Sequence, residues 1–119
     1  MKYSNPFLRL FNASRYSLSG LYYALINEQA FQYEFVVFVV LCGILFFVPL
    51  IIERKIFLIF AWLVVMCLEL INSSVEKAFD LIDKNFRHEI KAGKDMLSAA
   101  VFLSVSFNIF LWLILIFNF

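Results

Sequence analysis

Apolar positions fall into four blocks along the chain, and the spacing changes from block to block. In the first, Phe7, Leu10, Phe11, Leu18, Leu21, Tyr22 and Leu25 share one stripe at a helical period, with Arg9, Asn12, Tyr16, Tyr23 and Asn27 opposite. Pro6 after Asn5 marks a helix start. The pattern predicts an amphipathic helix over about residues 7–27 that lies in a membrane interface. Phe35 to Ile52 is an uncharged apolar run, long enough to suggest a membrane span, with Pro49 marking a kink or its end. Glu53, Arg54 and Lys55 read as a tight charged turn. Ile56 to Leu68 is apolar but too short to span alone, so its helix must run on through Glu69, Asn72, Ser73 and Glu76. Residues 77–95 are charged and belong in water, and Met96 to Phe119 carries no charge. The expected architecture is all-α: an interfacial helix and three transmembrane helices at about 31–52, 56–79 and 95–118, in one domain over residues 1–119.

Composition sharpens this. The 119 residues are 64% hydrophobic and 16% charged, against roughly 45–50% apolar for an ordinary soluble domain. A small soluble fold buries too little of its chain to hide so much apolar surface, so that surface must face lipid. The net charge of +1 offers no reason to expect a nucleic-acid partner. Cys42 and Cys67 sit in apolar runs without CxxC spacing and read as buried, reduced thiols. No cleavable signal peptide is expected, because the first apolar run begins behind a polar and amphipathic stretch. Lys2, Arg9, Arg15, Lys77, Lys84, Arg87, Lys91 and Lys94 fall on one side of the membrane and only Arg54 and Lys55 on the other. The N-terminus and residues 77–95 are therefore expected in the cytoplasm and the C-terminus outside.

The candidate chemistry lies where the second span meets that charged side. Glu69, Asn72, Ser73 and Glu76 are spaced i, i+3, i+4, i+7 and share a helix face, which Asp80 extends. A carboxylate at membrane depth costs roughly 2.5–3.5 kcal/mol even on lenient scales. A metal, a basic partner or a proton-transfer role would each account for it, and a polar helix end reaching the headgroups is the plainer alternative. Two carboxylates with an amide between them suit a Mg²⁺ platform, since that ion takes oxygen ligands. Glu28, at the end of the interfacial helix, falls at the depth of Glu76; it is either a metal carboxylate or an ordinary charged helix end. Lys94 is a point-charge phosphate binder by type. Asp95 beside it either caps the third span or functions with it. Asn108, mid-span, needs a partner in lipid and is expected to face another helix. Gly93-Lys94-Asp95 lacks the rest of a Walker A loop, there is no protein-kinase signature, and His88 stands alone in the charged stretch. Intramembrane carboxylates also mark proton-coupled transporters, and a non-catalytic assembly protein would be indifferent to their loss.

Three segments carry a family resemblance. Glu69-Leu70-Ile71-Asn72-Ser73-Ser74-Val75-Glu76, Lys94-Asp95-Met96-Leu97-Ser98-Ala99-Ala100-Val101 and Ile26-Asn27-Glu28-Gln29-Ala30-Phe31 resemble, in order, motifs of the prokaryotic diacylglycerol kinases. The resemblance implies a homotrimeric inner-membrane enzyme that uses ATP and Mg²⁺ to phosphorylate diacylglycerol to phosphatidic acid. It implies that Glu69 is the general base, that Glu28 and Glu76 hold the metal, and that Asn72 and Ser73 support that face. Arg9, Tyr16, Glu28, Glu76, Asn85, Phe86, Arg87, Lys94 and Asp95 would bind ATP. Arg9, Ala13, Ser14, Ser17, Ala30, Phe31, Glu34, Glu69 and Ser98 would bind the lipid. The chain departs from the family pattern at Leu18, where a Trp is usual, at Asn85-Phe86-Arg87, where relatives tend to read Glu-Tyr-His, and at Gly93, where Ala is usual. A related branch phosphorylates undecaprenol and tends to read K-D-x-x-A-G-A-V; the Ser98-Ala99-Ala100 reading here favours diacylglycerol.

Overall fold

The computed structural model describes residues 5–117; Lys2 and residues 118–119, which figure in the charge asymmetry and the third span, lie outside them. The described chain is helical: α1 (Pro6–Asn27), α2 (Gln29–Phe47), α3 (Ile52–Ile82) and α4 (His88–Phe117). The last three are long and apolar enough to cross a membrane. At 1.5 Å per residue, the 19 residues of α2 make about 28 Å, close to the hydrocarbon thickness.

Each boundary has a local cause. Asn5 Oδ1 accepts from the Phe7 amide at 2.9 Å and caps α1, with Pro6 inside its first turn. One residue, Glu28, separates α1 from α2; its backbone is extended (φ −106°, ψ 107°). Gln32 secures this break, its side-chain amide donating to the Leu25 and Ile26 carbonyls at 2.9 and 3.1 Å, which would otherwise be orphaned at the helix end. Pro49 ends α2 rather than kinking it. Its ring forces Val48 into an extended conformation (ψ 135°), so the helix stops at Phe47 and not near Ile52. Residues 48–51 thus form the turn. The expected charged turn at Glu53, Arg54 and Lys55 is instead the start of α3, where the Glu53 carboxylate complements the helix dipole.

Two further expectations are corrected. Residues 77–95 do not form a long loop: α3 continues to Ile82, α4 begins at His88, and only 83–87 intervene. Their charges are solvated on helical turns, a solution that keeps the backbone hydrogen-bonded. His88 is accordingly the first residue of α4, its ring edge-on to Phe86 at 5.1 Å. The thiols are free, but Cys42 is only half-buried and Cys67 is exposed, because the period of α3 turns Cys67 away from its packed face.

That packed face organises the molecule. Leu58, Ala61, Trp62, Val65, Met66, Glu69 and Asn72 are the buried residues of α3, at helical spacing. They meet α2 on one side and α4 on the other, while α1 packs on α2. Ala24, Phe31, Trp62, Val65 and Met66 form the core cluster. Lipid supplies no hydrophobic drive between helices, so close packing and polar contacts carry the association. Asn108, 3% exposed, meets the expectation of a helical partner: its Nδ2 donates to the Ala61 carbonyl of α3 at 3.0 Å. By contrast, Phe7, Leu10, Phe11, Leu18, Leu21 and Tyr22 of the α1 stripe stay uncovered by the chain itself, Leu25 at its end packs against the core, and Asn12 from the opposite face is buried.

Gly93 lies against the tip of the Phe79 ring. A Cβ there would lie 2.6 Å from the ring, which is half-exposed and must swing aside in Gly93→Ala. The better helix propensity of Ala, about 1 kcal/mol, offsets that shift, so stability is expected to change by less than about 1 kcal/mol. Thermal unfolding in detergent checks this, and a large loss would show that the ring cannot move.

Candidate active site

Glu69 is the most buried carboxylate of the described chain, 6% exposed and facing inward from α3. Its helix supplies two of its neighbours: Asn72 and Ser73, one turn on, lie beside the carboxyl on the same face. A third comes from α2. Trp62, two turns before Glu69 on the same face, donates its indole N–H to the Glu34 backbone carbonyl at 2.9 Å and fixes α2 against α3 there. This contact brings the Glu34 carboxyl within electrostatic reach of Glu69. The spacing along α3 foreshadowed Asn72 and Ser73. No periodicity could show that Glu34 approaches from another helix.

Glu28 and Glu76 lie within electrostatic reach of Glu69. Glu28 Oε1 is buried without an aligned hydrogen-bond donor; its counter-charge is Lys77, with Nζ 2.6 Å away. Among the described residues no three His, Cys, Asp or Glu side chains converge as a ready metal cage. Mg²⁺, however, is commonly held by one or two carboxylates, with phosphates and water completing its shell. The hard oxygens of Glu28 and Glu76 fit that donor set. Beside them Ser17, Tyr23, Glu28, Ser73 and Lys77 line an α1–α3 cleft of about 540 Å³.

A second cleft, about 420 Å³, opens at the α3–α4 turn. Asn85, Phe86, Arg87, Lys94 and Asp95, all expected to bind nucleotide, line it together. Lys94 Nζ reaches across to Asp80 Oδ1 of α3 at 2.9 Å and lies within electrostatic reach of Glu76. It therefore links the second cleft to the carboxylates. Asp95 pairs with Lys91 one turn earlier at 2.6 Å. Because α4 starts at His88, Asp95 lies inside the helix and does not cap it, which removes one of its two readings. Arg87 is held by Asp83 at 2.7 Å.

The remaining candidates are spread out. Arg9, Ala13, Ser14, Tyr16 and Ser17 lie exposed along α1, Arg15 stacking on the Tyr16 ring at 5.4 Å. Ala30 and Ser98 are exposed on α2 and α4. Phe31 packs in the core, 2% exposed. Lys77 and Asp80 escaped recognition as partners because each pairs with a residue on another helix; their charge at helical spacing from Ser73 and Glu76 was the only signal available.

The profile of one protein family, described as prokaryotic diacylglycerol kinase, matches residues 15–116. A diacylglycerol kinase of Haemophilus influenzae is 38% identical over 104 residues, 87% of each chain. One of Escherichia coli is 32% identical over 112 residues, covering 94% of this chain and 92% of its own. One of Helicobacter pylori is 38% identical over 111 residues, covering 89% and 83%. With nearly the whole chain matched, including the helices that carry Glu28, Glu69, Glu76 and Lys94, the protein belongs to the prokaryotic diacylglycerol kinase family of enzymes.

Proposed function

We propose that the protein transfers the γ-phosphoryl group of ATP to the free hydroxyl of diacylglycerol, giving phosphatidic acid and ADP at the inner face of the membrane. Family membership supports the reaction class. The observation that carries the site assignment is a single buried carboxylate, Glu69, flanked on its helix by Asn72 and Ser73, with Glu28, Glu34 and Glu76 in electrostatic reach. Phosphoryl transfer asks a protein mainly for positioning and charge neutralisation, and these residues offer both.

Glu69 takes the proton from the lipid hydroxyl as its oxygen attacks phosphorus. Glu34 faces it from α2 within electrostatic reach. Asn72 and Ser73 flank the carboxyl on its own helix. Glu28 and Glu76 would hold Mg²⁺, which when bound would supply neutralising charge for the phosphate oxygens. Lys94 adds a further cation, and Asn85, Phe86, Arg87 and Asp95 line the cleft for the rest of the nucleotide, with Arg9 and Tyr16 contributing from α1. The lipid lies along Ala13, Ser14, Ser17, Ala30, Glu34 and Ser98, with Phe31 supporting that wall from the core.

Membrane geometry follows the same reading. The uncovered stripe of α1 rests on the inner leaflet, which puts the N-terminus and the 83–87 turn in the cytoplasm and the C-terminus outside, as the cation asymmetry expects. The family resemblance implies three copies around a shared axis; the open clefts and uncovered apolar surface of one chain suit such an assembly, with a neighbour helping to enclose the nucleotide. The test offers purified protein radiolabelled ATP with Mg²⁺ and, side by side, diacylglycerol and undecaprenol. Label in phosphatidic acid is the expected result. Label only in undecaprenyl phosphate would reassign the substrate, and label in neither lipid would end the reading.

A further inference from the structure

Lys77 belongs to none of the roles assigned above, yet it pairs with one of the two carboxylates proposed to hold the metal. It follows Glu76 on α3, and its Nζ lies 2.6 Å from Glu28 Oε1. The same ammonium sits over the Tyr23 ring of α1, 5.5 Å from the centroid. Tyr23, Glu28 and Lys77 all line the α1–α3 cleft. The cation is therefore aimed from two directions, by charge at Glu28 and by the ring face beneath it.

Glu28 serves this ammonium and a divalent ion only in competition. A magnesium–oxygen bond is about 2.0–2.1 Å, so an ion on the Glu28 carboxylate would stand close beside Nζ. Two cations that close repel, so each weakens the binding of the other. Lys77 can leave: its side chain is 52% exposed, and exposed ion pairs contribute little. Its flexible four-carbon stem reaches water without moving α3. Until it leaves, it neutralises a carboxylate that would otherwise stand beside Glu69 and Glu76 without a counter-charge.

We infer that Lys77 is a resident counter-cation that competes with divalent metal for Glu28 and so sets how much metal the site requires. The inference rests on Glu28 being a metal carboxylate, as proposed above. Its consequence is that metal affinity here is tuned from within the chain. Removing the charge leaves Glu28 open to metal, and weakening the Tyr23 platform loosens the competitor without deleting it.

The experiment measures Mn²⁺ binding to the purified full-length protein in detergent by electron paramagnetic resonance, without nucleotide. Lys77→Met is expected to bind Mn²⁺ more tightly than wild type, on the order of tenfold. Tyr23→Leu should move affinity the same way by less, and Lys77→Arg, which keeps the charge, should stay near wild type. The Mg²⁺ concentration giving half-maximal lipid phosphorylation should fall in parallel in Lys77→Met. Unchanged or weaker Mn²⁺ binding in Lys77→Met would overturn the inference. Glu28→Gln separates the two levels of argument. If it weakens Mn²⁺ binding while Lys77→Met changes nothing, the metal carboxylate stands and the competitor falls. If Glu28→Gln has no effect on Mn²⁺, both fall.

Discussion

Glu69→Gln is expected to lower the rate of lipid phosphorylation by roughly 10²–10⁴-fold, the range contributed by a positioned general base. The side chain is buried and nearly isosteric with Gln, so little packing changes. The amide still fits beside Asn72 and Ser73, and Gln suits a helix as well as Glu. What is lost is the ability to accept the hydroxyl proton at the moment of transfer. The fall should therefore appear in kcat with the lipid KM little changed, and far-UV circular dichroism and ATP binding should match wild type. Added Mg²⁺ should not rescue it. A wild-type rate would remove Glu69 from the chemistry.

Glu76→Gln should also cost activity, by a different route. Glu76 sits two turns after Glu69, half-buried, within electrostatic reach of both Glu69 and Lys94. Replacing it removes a formal negative charge and one hard oxygen from the pair proposed to hold the metal. Metal affinity should fall by at least on the order of 10–100-fold, the cost seen even when groups behind the ligands are removed. The signature is a Mg²⁺ titration shifted to higher concentration, with part of the rate recovered at saturation. That recovery distinguishes Glu76→Gln from Glu69→Gln. A Mg²⁺ requirement unchanged in Glu76→Gln would exclude it as a ligand.

The departures from the family pattern acquire physical meaning only in the folded chain. Gly93 lies against the tip of the Phe79 ring, so the unusual residue on α4 leaves room for a large one on α3. At the other end of the argument, the polar face of α3 was readable from spacing alone, and its order of burial followed: Glu69 and Asn72 buried, Ser73 and Glu76 half-buried. Boundaries were read less well where two signals competed. Charge at residues 53–55 suggested a turn, but the conformational restriction that Pro49 imposes on Val48 put it earlier. Charge at 77–95 suggested a loop, yet exposed helical turns solvate charge while keeping every backbone hydrogen bond.

Apolar runs of near-bilayer length, the polar face carrying Glu69, Asn72, Ser73 and Glu76, and the break at Glu28 are consequences of local order along the chain. A helical period of 3.6 residues is enough to say which side chains share a face, and a count of apolar residues is enough to say what crosses a membrane. The period carries no information about which helix a face meets, at what height or in what rotation. Glu34 against Glu69, Lys77 on Glu28, Lys94 on Asp80 and Asn108 on the Ala61 carbonyl all join separate helices, and only the packing of α2 and α4 on α3 decided them.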